Sequence, residues 1–309
     1  RFQRPPLRIV FVMACFFLTV RYAIWRTTET LVYTGPIDFV AMMALYFAEM
    51  YAMVVHALGI FTNIWPLENK IMPLPADQSL YPSVDVFIPT YSEPADIVKV
   101  TATAALNVDY PKDKLKVFIL DDGGTTAKRN DPKTSKEAWE RHYELKRLAG
   151  ELGVGYITRE KNLKAKAGNL THALSHTHSD LVLILDCDHV PVRSFLTETI
   201  GYFTDPKVAL VQLPHHFYNP DTFQRNLHLE HDLTHEQDLF FRVVLAGRQA
   251  ANAVMFCGSS ALLRRSALEL IGGIRTETAI EDTHTSMTLQ SMGYKGVYHP
   301  QILSGALSP

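Results

Sequence analysis

Three short segments place acidic side chains directly after apolar runs of the chain. Asp121-Asp122-Gly123-Gly124 follows one run, Asp186-Cys187-Asp188-His189 another, and Thr90-Tyr91-Ser92-Glu93 a third. An isolated Asp-Gly after a strand is usually a turn, because both residues suit turn geometry. Two acidic ends on strands of one sheet favour a functional site instead. Asp186 and Asp188 would offer the oxygen ligands that Mg²⁺ or Mn²⁺ prefers.

A basic segment lies between the two aspartate segments. Lys164-Ala165-Lys166-Ala167-Gly168-Asn169 begins a predicted helix, and lysines beside a helix N-terminus suit a diphosphate. Alone, these lysines would indicate a solvated surface, but their position in the chain favours binding. The chain has no glycine-rich dinucleotide fingerprint and no P-loop. The sequence therefore predicts a nucleoside-diphosphate donor bound through a metal.

A second acidic pair, Glu281-Asp282, precedes a helical stretch near the end of the sequence. Two acids at a helix start are typical of capping that the helix dipole favours. Alternatively, a carboxylate beside an acceptor hydroxyl could remove its proton as a general base. The pattern alone leaves both interpretations open.

The elements that position these segments alternate between short apolar runs and amphipathic stretches beyond Pro75. Strands are predicted at 84–88, 116–120, 155–158, 181–185 and 208–212, and helices at 96–107, 134–152, 167–176, 193–203 and 285–291. Strands separated by helices indicate βαβ units, hence an α/β domain with a mainly parallel sheet covered on both faces. Ligands bind beyond the carboxyl ends of such strands, where the acidic segments lie.

Composition excludes several classes of protein. The 309 residues are 47% hydrophobic and 20% charged, with a net charge of -2, so no polybasic surface predicts nucleic-acid binding. Three scattered cysteines predict neither a disulfide framework nor a zinc site, and Cys187 is interpreted as a packing residue.

His228, His231 and His235 are predicted to share one face of a helix. A polar face is favoured over a metal site there, because Leu239 leaves the His-Glu-x-x-His pattern incomplete.

The N-terminal part is strongly apolar. Residues 36–61 are long enough to span a bilayer and residues 7–25 are marginally so, which predicts an integral membrane anchor closed by Trp65-Pro66. The flanking cations predict that both ends face the cytoplasm: Arg1, Arg4, Arg8 and Lys70. Glu49 and His56 inside the second stretch would face helices outside this sequence or serve transport.

The order of the motifs is specific. Asp-Asp-Gly, Lys-Ala-Gly-Asn, Asp-x-Asp, Gln224-Arg225-Asn226, Phe256-Cys257-Gly258-Ser259 and Glu-Asp follow one another along the chain. In this order they resemble the processive family 2 glycosyltransferases, and among them the catalytic subunit of bacterial cellulose synthase. The paired apolar stretches, with Trp25-Arg26 and Trp65-Pro66-Leu67 at their ends, also resemble that subunit, so the match covers nearly the whole chain.

The resemblance implies a GT-A fold and an inverting enzyme that polymerises glucose from UDP-glucose into a β-glucan, most closely β-1,4-glucan. A curdlan-type β-1,3-glucan synthase is the near alternative, and a non-catalytic nucleotide-sugar-binding membrane protein is the third. The implied donor-binding residues are Thr90, Tyr91, Glu93, Asp121, Asp122, Lys166, Asp186 and Asp188, of which Asp186 and Asp188 bind Mg²⁺ or Mn²⁺.

The resemblance also implies the acceptor end of the site. Asp282, with Glu281 beside it, is the implied catalytic base. The implied acceptor-binding residues are Phe256, Cys257, Gly258, Gln224 and Arg225.

Two departures from the family pattern stand out. Ile280 occupies the position before Glu-Asp where the family usually has threonine, and the Gln-x-x-Arg-Trp motif is absent from these residues. We therefore expect an N-terminal part of a longer synthase, able to bind UDP: a transmembrane hairpin and interfacial segment at 1–75 and the GT-A domain at 76–309. Later channel helices and a cyclic-di-GMP-binding domain are expected beyond it.

The resemblance further implies partners and a location. Expected partners are UDP-glucose, the growing β-glucan chain, the lipid bilayer and an accessory subunit on the outer face. The expected location is the inner (plasma) membrane, as a multi-pass protein with its catalytic domain in the cytoplasm.

Overall fold

The computed structural model describes residues 5–64, 72–230 and 232–308. The chain divides into two units, one of Arg1–Leu67 with Ala246–Ala251, the other of Glu68–Leu245 with Asn252–Pro309. Several sequence-based predictions lie outside the described residues, namely those on Arg1, Arg4, Trp65-Pro66, Lys70 and His231.

The first unit contains two long helices, α1 (Pro5–Glu29) and α2 (Pro36–Asn63). Gly35 precedes α2, and Pro36 suits a first helical position because it has no N–H to leave unpaired. By length and composition, both helices can cross a membrane. In their most apolar windows 6% and 0% of residues are buried within the described structure, as expected for helices whose apolar side chains face lipid. The short helix α9 (Ala246–Arg248) also belongs to this unit.

An ion pair joins the two long helices. Arg26 Nε donates to Glu49 Oε2 at 2.5 Å, and its Nη1 donates to Thr30 Oγ1 at 2.6 Å. The guanidinium also lies 6.0 Å from the Tyr46 ring centroid. Glu49 therefore has its partner within this hairpin, whereas the sequence suggested helices outside this chain or a transport role. Pairing of this kind offsets the cost of a charge within an apolar helix.

The second unit is built on a seven-stranded sheet. Its strands follow the order β3-β2-β1-β4-β7-β6-β8. Their bounds are β1 (Val84–Thr90), β2 (Leu115–Asp121), β3 (Gly155–Thr158), β4 (Leu181–Ile184), β6 (Val208–Gln212), β7 (Ala261–Arg264) and β8 (Lys295–Tyr298). A separate pair is formed by β5 (Val190–Pro191) and β9 (Ser304–Gly305). Only β7 runs antiparallel to its neighbours in the large sheet, so the predicted mainly parallel α/β sheet is confirmed.

The remaining α-helices connect these strands. They are α3 (Ala95–Leu106), α4 (Thr126–Asn130), α5 (Ser135–Leu152), α6 (Ala165–Leu174), α7 (Phe195–Thr199), α8 (Thr222–Leu227), α10 (Arg265–Leu270) and α11 (Glu281–Ser291). Four 3-10 turns lie at Gln78–Leu80, Lys112–Lys114, Ile200–Thr204 and Gln249–Ala251, and a π-helix lies at Phe240–Leu245.

Burial explains why the central strands form where they do. All seven residues of β1 are buried, as expected for a strand with parallel neighbours on both sides. Asp85 within it is compensated by Arg265, whose Nη2 donates to Asp85 Oδ2 at 2.7 Å. Helix α5 ends at Gly153, whose φ of 69° suits a glycine C-cap. Parallel pairing of β1 with β2 and with β4 places the ends of these three strands side by side.

The predicted helix around the histidines is wrong. Asp221 and Gln224 form a capping box that begins α8, but the helix ends after Leu227. His228 follows in a left-handed conformation with φ of 54°, and its N–H bonds back to Arg225. His228 and His235 are therefore not on one helical face.

Candidate active site

The carboxyl ends of β1, β2 and β4 open into a cavity of about 600 Å³. Seven of the predicted donor residues line it: Thr90, Tyr91, Glu93, Asp122, Lys166, Asp186 and Asp188. These residues lie up to about a hundred positions apart in the sequence, and they meet here because parallel strands end at one edge of the sheet. The structure thus brings most of the predicted donor site together.

The segment after β1, residues 90–93, is held by its own carboxylate. Glu93 Oε2 accepts from Thr90 Oγ1 at 2.8 Å, from the Tyr91 N–H at 2.7 Å and from the Ser92 N–H at 3.1 Å. Burial acts to raise the pKa of Glu93, but these hydrogen bonds prevail and lower it below its ordinary value. Tyr91 remains 46% exposed, and Lys128 Nζ lies 3.7 Å from its ring centroid.

Asp122, at the end of β2, is paired with Arg159. The guanidinium donates from Nε and Nη2 to the two carboxylate oxygens, both at 2.6 Å. Arg159 also donates to the carbonyls of Leu163 and Ala165 at 2.7 and 2.8 Å. One buried arginine therefore ties the donor-lining aspartate to the loop that leads into α6. Sequence reasoning missed Arg159, which follows β3 outside every motif.

Asp121 is placed differently from its neighbour. Its side chain is fully buried and lies outside the cavity lining. Four protein donors surround its two oxygens, from Gly123, Gly124, Arg141 and Tyr156. The resemblance placed Asp121 at the uridine end of the donor site, whereas its carboxylate here faces protein groups.

Lys166 stands at the beginning of α6, in contact with a metal-site candidate. Its Nζ donates to Asp186 Oδ1, and the two side chains are 29% and 34% exposed. Lys164 and Ala165 just before it have φ of 61° and 42°. A Cβ on Gly168 would lie 2.1 Å from the Leu163 carbonyl oxygen, so only glycine permits this close approach.

Asp186 and Asp188 are oriented by neighbouring groups. The Asp186 N–H donates to Ser259 Oγ at 2.8 Å, and Asp188 Oδ1 lies 3.2 Å from His189 Nδ1. Burial acts to raise the pKa of Asp188, but the interaction with His189 prevails and lowers it. Burial and the nearby carboxylates raise the pKa of the Cys187 thiol to about 12, which supports its interpretation as a packing residue.

The donor set suits a hard divalent cation. Both aspartates line the cavity, and each side chain is roughly one-third exposed. Among the described residues, no group of three or more His, Cys, Asp or Glu side chains is placed to hold a metal. A cation bound by Asp186 and Asp188 would thus take its other ligands from water and phosphate oxygens, as Mg²⁺ usually does.

Asp282 and Lys166 both lie beside Gly258. A Cβ built on Gly258 would lie 3.6 Å from Asp282 Oδ2 and 3.5 Å from Lys166 Nζ. Asp282 and Glu281 occupy the first turn of α11, where the helix dipole favours acids. Asp282 therefore meets the condition for both interpretations of the acidic pair: it lies at a helix start, and it lies near the cavity.

The segment 256–259 is fixed through its backbone. The Phe256 N–H donates to Ser286 Oγ at 2.6 Å, and that hydroxyl donates to the Asp282 carbonyl at 3.0 Å. The Cys257 N–H donates to Oε1 of the buried Gln212 at 2.8 Å. Gly258 follows with φ of 82°. The Phe256 ring is 1% exposed, so this residue faces the core.

Gln224 and Arg225 lie elsewhere in the fold. Gln224 is buried in the capping box of α8, and its Nε2 donates to the Leu233 carbonyl at 2.6 Å. Arg225 is exposed on the same helix. Neither is part of the lining of the donor cavity, and their acceptor-binding role stays a prediction.

Comparison with known proteins identifies the family. The model described as Glycosyl transferase family 2 matches residues 85–272. The UDP-forming cellulose synthase catalytic subunit of Xanthomonas axonopodis pv. citri (strain 306) is 44% identical over 282 residues, 91% of this chain and 36% of the relative. Cellulose synthase 2 of Novacetimonas hansenii is 43% identical over 298 residues, 96% of this chain and 18% of the relative. The chain thus spans about a third or less of these relatives.

A solved structure shares the fold. The mannosyltransferase PcManGT from Pyrobaculum calidifontis, in complex with GDP-Man and Mn²⁺, is 21% identical, with a TM-score of 0.51. The match covers 99% of this chain and 69% of that one. It supports the GT-A-like α/β fold that was expected from the sequence.

Proposed function

The chain belongs to glycosyl transferase family 2, and from that premise we propose that it is part of a membrane-embedded, processive, inverting enzyme. The proposed reaction adds glucose from UDP-glucose to a growing β-1,4-glucan. Relatives named as cellulose synthases, 43–44% identical over most of this chain, support the substrate and the product.

One observation carries the proposal. Lys166 contacts Asp186 within the cavity, and Lys166 and Asp282 both lie next to Gly258. A cation for a diphosphate, a carboxylate for a metal and a carboxylate for a proton are therefore neighbours. Together these three functions would serve the transfer of a sugar from a nucleoside diphosphate.

The geometry suggests a role for each group. Thr90, Tyr91, Glu93 and Asp122 would surround the nucleoside, and Lys166 would bind the diphosphate. A divalent cation held by Asp186 and Asp188 would supply positive charge for the departing UDP. Asp282 would take the proton from the acceptor hydroxyl as it attacks the anomeric carbon, with Glu281 beside it. Attack opposite the leaving group inverts that carbon.

The hairpin of α1 and α2 would anchor the enzyme in the inner (plasma) membrane, with the second unit on the cytoplasmic side. That arrangement would place the donor site on the side of the membrane where UDP-glucose is made. The proposed partners include the bilayer, the glucan chain and an outer-face accessory subunit, with cyclic-di-GMP acting through a further domain.

The test is product analysis. The intact membrane protein would be reconstituted with radiolabelled UDP-glucose and Mg²⁺ or Mn²⁺, and the polymer digested with linkage-specific glucanases. Release by a β-1,4-specific enzyme is expected, and Asp188→Ala should abolish synthesis. Release only by a β-1,3-specific enzyme would show that the product is a β-1,3-glucan and not the proposed β-1,4-glucan. Ile280 is the residue that keeps this alternative open; it precedes α11 and is 63% exposed. Absence of polymer from any UDP-sugar would favour a non-catalytic binding protein.

A further inference from the structure

Arg141, on α5, hydrogen-bonds to Asp121 and to both ends of the segment 90–93. Its Nε donates to Asp121 Oδ1 at 2.9 Å, its Nη1 to the Glu93 carbonyl at 2.7 Å, and its Nη2 to Thr90 Oγ1 at 2.7 Å. The side chain is 16% exposed. A nearly buried guanidinium with three charge-assisted or directed hydrogen bonds is held in one geometry.

Hydrogen bonds from protein groups occupy both carboxylate oxygens of Asp121. Oδ1 accepts from Gly123 and Arg141, both at 2.9 Å, and Oδ2 accepts from Gly124 at 3.1 Å and the Tyr156 hydroxyl at 2.7 Å. A carboxylate has about four lone-pair sites, so four donors fill it. With no exposed side-chain surface, Asp121 is positioned to orient Arg141 and not to touch a nucleotide.

Arg141 in turn fixes the segment 90–93 at both ends. Thr90 Oγ1 accepts from Arg141 and donates to Glu93 Oε2, so its orientation is determined. The Glu93 carbonyl is held by the same guanidinium. The half-exposed Tyr91 lies between these two anchors and lines the cavity.

We propose that Arg141, oriented by Asp121, is a positioning residue that sets the segment 90–93 for nucleotide binding. This inference rests on the proposed function, because it assumes that the cavity binds UDP. It gives Asp121 an indirect role in that site and adds a residue that lies outside every motif.

The substitution Arg141→Lys tests the idea. An ammonium is a point charge and cannot reproduce the guanidinium fork at three acceptors. We expect the Kd for UDP and the KM for UDP-glucose to rise about 10- to 100-fold, the effect of one or two lost hydrogen bonds of this kind. We expect kcat to change little, because in the proposed site the segment 90–93 would contact the nucleotide and not the reacting bond.

Two matched variants separate positioning from stability. Tyr156→Phe removes another buried donor from Asp121 but leaves the segment 90–93 untouched, so it should lower the melting temperature with less than about a threefold change in UDP affinity. Arg147→Lys, on the same helix, alters an exposed pair with Glu151 and should change neither the melting temperature nor the UDP affinity.

Thr90→Val provides a second perturbation of the proposed contact between Arg141 and Thr90. Its effect on UDP affinity should not add to that of Arg141→Lys.

Calorimetric titration of the intact protein with UDP, together with melting curves, decides between the outcomes. If folded Arg141→Lys binds UDP as tightly as the wild-type protein, the inference about Arg141 is overturned, but the proposed function is not. Strict additivity with Thr90→Val would also overturn it. So would an Asp121→Asn variant that loses UDP binding far more than Arg141→Lys, because Asp121 would then contact the nucleotide directly. A wild-type protein that binds no UDP would overturn the proposed function and the inference together.

Discussion

Replacing Arg159 by methionine removes the partner of Asp122 while keeping an apolar side chain of similar length. The two side chains are 8% and 5% exposed, and they share two hydrogen bonds of 2.6 Å. Breaking a buried pair by removing one partner costs about 3–5 kcal/mol, because an unpaired charge stays buried. For a domain of this size, the expected fall in melting temperature is roughly 6–20 °C.

The same substitution should weaken UDP binding. Arg159 holds the carbonyls of Leu163 and Ala165, next to Lys166, so its loss frees the loop that presents that lysine. Adding Asp122→Leu to Arg159→Met removes the unpaired charge and should recover most of the stability. UDP binding should stay weak in the double variant, because Asp122 itself lines the cavity.

Arg193 provides the control. Its Nε and Nη2 donate to Asp109 Oδ1 at 3.0 and 2.6 Å, but the side chains are 79% and 50% exposed. Arg193→Met should therefore cost less than about 1 kcal/mol. The assay is thermal unfolding of the purified protein, followed by UDP titration. If Arg159→Met and Arg193→Met lower the melting temperature by the same small amount, the argument that burial makes the Arg159–Asp122 pair important is refuted.

Three further predictions follow from the site. Asp282→Asn should abolish polymer synthesis yet preserve UDP affinity, and retained synthesis would exclude Asp282 as the base. The lowered pKa of Glu93 means that ionised Glu93 stabilises the fold above the ordinary carboxyl pKa, and that this contribution is lost as pH falls through the lowered value. Acid unfolding of Glu93→Gln should lack that step, and an unchanged pH profile would contradict this. Gly168→Ala should destabilise the protein, whereas Gly150→Ala, with open space around its Cβ position, should not; equal melting temperatures would argue against the close approach at Leu163.

The sheet shows how far the sequence alone reaches. The strands at 155–158 and 208–212 are confirmed as predicted, and β1 extends two residues beyond its predicted end. The apolar runs of β1 and β6 are typical of buried strands, and both strands are fully buried. Strands β7 and β8 were missed. Both are four residues long, and their place in the sheet depends on pairing with β4 and β6 from distant parts of the chain.

The site shows the same division. Motifs identified the charged residues that line the cavity, but not the arginines behind them. Arg141 lies in a helix rich in charged residues, where it resembles a solvated side chain, and its contact with Thr90 spans 51 positions. Gln212 reaches Cys257 across 45 positions. Nothing local in the sequence distinguishes such residues from ordinary surface or core positions, because only the tertiary fold supplies their partners.

The three acid–base pairs at the strand ends differ in a way that bears on binding. Asp121 with Arg141 and Asp122 with Arg159 are nearly buried, whereas Asp186 and Lys166 are each about one-third exposed. Exposed pairs are weak and exchange partners readily, while buried ones are held by the cost of leaving a charge unpaired. Because its pair with Asp186 is partly exposed, we propose that Lys166 turns from this aspartate to an incoming diphosphate, which would release an oxygen of Asp186 for a divalent ion. The two arginine pairs would keep the surrounding loops in place during that exchange.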